Sequence, residues 1–70
     1  MTIGEELEFQ QRVVDEKAQL DEKIKKLAYF LNGSVIETLE SEDQTLLHEQ
    51  FHVMEKYSDI LRRRIARFKS

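Results

Sequence analysis

Residues 47–68 read LHEQFHVMEKYSDILRRRIARF, and their spacing decides the fold. Leu47, Phe51, Met54, Ser58, Leu61, Ile65 and Phe68 recur in alternating steps of four and three. That period places them on one face of an α-helix, and a straight stripe of this kind is the seam of two long helices packed at a shallow angle. Upstream, Ser41-Glu42-Asp43-Gln44 has the pattern of a capping box, so a helix is expected over about 42–68. Its partner is legible in Phe9, Val13, Leu20, Ile24, Leu27 and Leu31, spaced by three, four and seven, which predicts a first helix over about 5–31. Thr2-Ile3-Gly4-Glu5 fits a capping box at its start. Asn32-Gly33 marks its end, with glycine expected in the left-handed conformation that closes a helix. Residues 32–41 are then the connection, in which Val35, Ile36 and Leu39 are expected to fold over the end of the pair as a short helical turn. So short a link makes the helices antiparallel. The expected architecture is all-α, a single helical-hairpin domain over 1–70.

Composition agrees with long helices and excludes several function classes. The chain is 40% apolar and 36% charged, with no proline and two glycines. Eleven basic residues against 14 acidic ones give a net charge of −3, which argues against a general nucleic-acid binder. The absence of cysteine excludes disulfides and thiolate zinc sites. No apolar run approaches the ~18 residues of a membrane span, and the acidic start lacks an export signal's pattern, so a cytoplasmic location is expected.

One hairpin does not bury all the apolar surface that the sequence carries. The second helix has another row in Leu46, Val53, Tyr57 and Ile60, and the first adds Val14, Ala18, Ala28 and Tyr29. Two paired helices bury one face each, so a homodimer or homotetramer, a helical bundle, is expected. The alternative is a compact monomer that uses residues 34–40 as a third packing element. Charge is uneven as well. Residues 34–50 hold five acids and no Lys or Arg, whereas 51–70 hold six basic residues and only Glu55 and Asp59 as acids. Arg62, Arg63, Arg64, Arg67 and Lys69 complement the helix C-terminal dipole and are expected to lie near Glu5, Glu6 and Glu8.

His48-Glu49-Gln50-Phe51-His52 matches the zinc-protease helix pattern, in which residues four apart present two imidazoles to a metal. The glycine and third histidine that extend that pattern are missing, since Glu55 and Ser58 occupy those positions. His48 and His52 are read as semi-exposed flanks of Phe51. No metal, cofactor or catalytic activity is expected, because no other nucleophile or phosphate-loop motif is present.

A polar interruption is more informative. Lys17 lies in the middle of the first helix's stripe and Ser58 in the second's, and the hairpin brings them roughly level. A buried lysine needs a partner, for which Glu16, Asp21 or a neighbouring copy's Asp59 are candidates. Either Lys17 extends outward while Ser58 permits close helix approach, or the layer is a polar pocket at a subunit interface. In such a pocket cations would hold phosphate while Tyr29 or Tyr57 stacks on a base.

Residues 11–24, QRVVDEKAQLDEKI, with Lys26-Leu27 and Phe30, form one block; Met54-Glu55-Lys56-Tyr57-Ser58-Asp59-Ile60-Leu61, with Arg64-Ile65, form a second. Together they resemble a family of short phage proteins, around seventy residues long, first labelled from a crAss-like phage. Such proteins are similar in size and helical character to phage anti-CBASS sponges. The resemblance implies a phage immune-evasion protein that sequesters a cyclic di- or trinucleotide messenger of bacterial defence without cleaving it. Joined to the polar layer, it nominates Arg12, Lys17, Tyr57 and Arg64 as ligand-binding residues. The alternative is a helical protein-interaction module that grips a host protein or serves phage assembly or regulation.

Overall fold

The computed structural model describes residues 3–68, apart from the side chains of Ile3 and Glu5. Helix α1 spans Ile3–Leu31, a one-turn 3₁₀ segment spans Val35–Thr38, and helix α2 spans Ser41–Ala66. The described residues contain no strand. The helices pack against each other as a hairpin rod of 52 × 15 × 14 Å.

The core is the seam read from the sequence. Val13, Leu20 and Leu61 are buried against one another, and Ile24, Met54, Ile65 and Phe68 pack around them. Leu61 is 0% exposed. At the open end Phe9 meets Phe68 edge to face, with centroids 6.5 Å apart, and the Arg64 guanidinium lies 5.9 Å from the Phe9 ring centre. At the closed end the 3₁₀ turn buries Ile36 and half-buries Leu39, while Val35 stays exposed.

The helix ends depart from two expectations. Gly33 does not take the left-handed conformation, since no described residue has a positive φ. Instead Asn32 closes α1: its backbone N–H and its side-chain amide both donate to the Ala28 carbonyl, at 3.1 and 2.9 Å. Gly33 N–H then tightens onto the Phe30 carbonyl at 3.2 Å. With those carbonyls already satisfied, the left-handed turn has nothing further to supply. Ser41 likewise makes no capping box. It is the first helical residue, the N-cap position falls to Glu40, and no side chain caps it. Gln44 reaches back to donate from Nε2 to the Leu39 carbonyl at 2.8 Å, fixing the turn to the first coil of α2. The candidate capping box at Thr2 and Glu5 lies outside the described residues.

Candidate functional site

The polar interruption of the seam is one connected group. Lys17 donates to Asp21 Oδ2 at 2.6 Å, one turn along α1, and Ser58 donates from α2 to Asp21 Oδ1 at 2.5 Å. Asp21 is therefore the partner that Lys17 required. The Lys17 bond, then the Ser58 bond, holds the Asp21 carboxyl below its ordinary value. The Lys17 and Asp21 side chains are 25% and 40% exposed, so the layer sits at the edge of the seam. It opens on a groove of about 260 Å³ whose lining includes Glu55, Asp59 and Arg62. Three carboxylates against two cations make this a poor seat for phosphate.

Of the four residues nominated from sequence, Lys17 alone lines that groove. Tyr57 and Arg64 are seven apart, so they share a flank of α2, on the other side of Leu61 from Ser58. Arg64 is directed over Phe9. Arg12 lies exposed on α1, five residues before Lys17 and off its face. The structure thus joins Tyr57 and Arg64 on one side of the hairpin and sets Lys17 on the other.

The basic last turns of α2 pair with an acid of their own helix. Arg62 donates to Asp59 Oδ1 at 2.7 and 3.1 Å, and Arg63 pairs with Asp59 Oδ2 at 3.1 Å. Among the described residues no ion pair joins them to Glu6 or Glu8, because a partner one turn back on the same helix is nearer than one across the hairpin. The Arg62 bond, first, lowers the Asp59 carboxyl. His48 and His52 are exposed beside half-buried Phe51; His52 Nδ1 lies 3.7 Å from Glu55 Oε1 and its ring packs edge-on against Phe51.

A second groove, not nominated from sequence, is lined almost wholly by apolar atoms, to which the lysines contribute their aliphatic stems. Lys25, Lys26, Tyr29, Phe30, Gly33 and Val35 line about 430 Å³ at the closed end of the rod. No acid lines it, and Tyr29 is 85% exposed with its ring free to stack. The signal was available in the chain: residues 23–36 contain three lysines and no Asp or Glu. Its apolar wall can receive a base, while the flexible lysine stems can bring an ammonium group to a phosphate beside it.

Residues 7–67 match the family model described as Sequestin. The chain is 41% identical over 63 residues to an uncharacterized 7.5 kDa protein from the denB-rIIB intergenic region of Enterobacteria phage T4, covering 90% of this chain and 98% of that one. No solved structure matches. These likenesses support the short-phage-protein part of the resemblance drawn from residues 11–24 and 54–65.

Proposed function

Because the chain belongs to the Sequestin family, we propose that it is a phage protein that binds and sequesters a cyclic-nucleotide messenger of bacterial anti-phage defence, without catalysis, in the infected cell's cytoplasm. The observation that carries this reading is the family match, whose name suggests sequestration. The Lys25–Lys26–Tyr29 groove supports it, because it offers an apolar stacking face flanked by two lysines, with no carboxylate in its lining. In this reading Lys25 and Lys26 receive phosphate and Tyr29 receives a base. Arg12, Lys17, Tyr57 and Arg64 are the second candidate set, in which Lys17 must leave Asp21 to meet a phosphate.

The test is a thermal-shift panel of cyclic mono-, di- and trinucleotides, followed by heat denaturation and mass spectrometry of what is released. A sponge is stabilised by its ligand and returns it intact. A folded protein with no thermal or calorimetric response to the panel defeats the reading. A second reading, a helical protein-interaction module, is favoured in that case by the exposed apolar row of Leu46, Val53, Tyr57 and Ile60. Its mark is retention of a macromolecular partner together with indifference to nucleotides.

A further inference from the structure

His48 and His52, the two histidines of the chain, stand about one turn apart on α2, and the function proposed above uses neither. Residues four apart share a helix face, with Cβ atoms about 5–6 Å from each other. Both are exposed, and both line one small cavity of about 200 Å³. Its other walls are Phe51 of α2 and Ala28, Leu31 and Asn32 at the end of α1. Among the described residues no lysine or arginine lines it.

We propose that this cavity is a binding site for one divalent first-row transition-metal ion, copper, nickel or zinc. The imidazoles of His48 and His52 hold the ion, and water completes its shell. The spacing alone carried no expectation of a metal; its surroundings in the fold do.

Three features of those surroundings favour a cation. Helix α1 has no basic residue in its last turn. The negative end of its dipole is therefore uncompensated where Ala28, Leu31 and Asn32 wall the cavity. Residues 34–50, which include His48, carry five acids and no Lys or Arg, so cations are concentrated near it. Finally, Glu55 Oε1 lies 3.7 Å from His52 Nδ1. A carboxylate beside that nitrogen keeps the proton on it and leaves Nε2 to bind the metal.

The donors also select the ion. Neutral imidazole nitrogens suit copper, nickel and zinc, whereas magnesium and calcium require oxygen ligands. Among the described residues no three His, Cys, Asp or Glu side chains converge. The coordination shell is therefore open, and its ion exchanges with solvent instead of being locked into the fold.

The test is calorimetric titration of the untagged, metal-stripped chain with zinc, nickel or copper chloride, paired with thermal melting by circular dichroism. One ion should bind per chain, copper most tightly, and the melting temperature should rise until a chelator reverses it. His48→Gln and His52→Gln, at exposed positions, should keep the helical signal and each lose saturable binding. Glu55→Gln should weaken binding by about tenfold. The proposal is overturned if no ion binds saturably, or if either histidine variant binds like the wild type. An equal melting shift with magnesium or calcium chloride would also overturn it, assigning the response to the acidic surface alone. One ion per two chains would overturn the single-chain site in favour of a bridge between copies.

Discussion

Ser58 and Asp21 stand 37 positions apart in sequence and share a 2.5 Å hydrogen bond that crosses the hairpin. Among the described residues it is a polar tie between the helices, and Lys17 braces its acceptor from the same side. Asp21→Ala and Ser58→Ala should each lower stability by about 1 kcal/mol, because the half-exposed groups regain water when a partner is lost. The double variant should lose less than the two singles added together, with a coupling of about 0.5–1.5 kcal/mol. Urea denaturation of the four proteins reads that coupling, and strict additivity would dissolve the tie.

The same carboxylate sets a pH dependence. Its folded pKa is depressed below 3.8, chiefly by the Lys17 hydrogen bond and next by that of Ser58. A depressed carboxylate stabilises the fold above its unfolded pKa and ceases to do so as pH falls through the folded value. The Asp21 contribution to the urea midpoint should therefore hold steady from pH 7 to about 5 and decline below the ordinary aspartate range. Asp21→Asn should flatten that part of the acid limb. Carboxyl NMR titration locates the group directly, and an ordinary or raised Asp21 pKa contradicts the geometry.

Leu61 is the best-buried side chain of a small core. Leu61→Ala removes its contacts with Val13 and Leu20 and should cost about 2–5 kcal/mol, a large part of what a domain this size possesses. Thermal melting by circular dichroism should show a broad loss of helix at moderate temperature. Val35→Ala, at an exposed site in the turn, is the control and should melt with the wild type.

Ligand contacts separate the two candidate sets. With a nucleotide that stabilises the wild type, Lys25→Ala, Lys26→Ala and Tyr29→Ala should each weaken binding by about tenfold, equivalent to roughly 1.4 kcal/mol per contact. Lys17→Ala should have a smaller effect, since its charge is already spent on Asp21. Affinity should fall as salt rises. Calorimetry in which Lys17→Ala and Arg64→Ala abolish binding, with the groove variants unaffected, would move the site to the polar layer.

The hairpin was legible because its signal is periodic: the stripe from Leu47 to Phe68 needs one apolar neighbour per turn, and only a second helix supplies it. Helix ends are local chemistry, and there the reading went astray. Asn32 and Gly33 were both plausible stops, and the side-chain amide of Asn32 reached the carbonyl first. Ser41 lost the capping position to Glu40, because Gln44 bonds back to Leu39 instead of closing a box. Within the polar layer, Lys17 and Ser58 stood out as breaks in an apolar row, while Asp21 was one of three possible partners until the register was fixed. Lys25, Lys26 and Tyr29 break no period. They lie on the solvent side of α1, where the missing acids of residues 23–36 were the available sign.

Among the described residues the two helices are not matched in length at the open end. Phe68 meets Phe9, yet α1 continues outward to Ile3, so its first six residues run past the described end of α2. A stretch of lone helix that short is marginal in water. Its amide protons should exchange with solvent almost as fast as those of a free peptide, while the slowest exchange falls beside Leu20 and Leu61. Melting consequently begins at the tip and travels inward past the Phe9–Phe68 clasp, giving the rod a direction in which it comes apart.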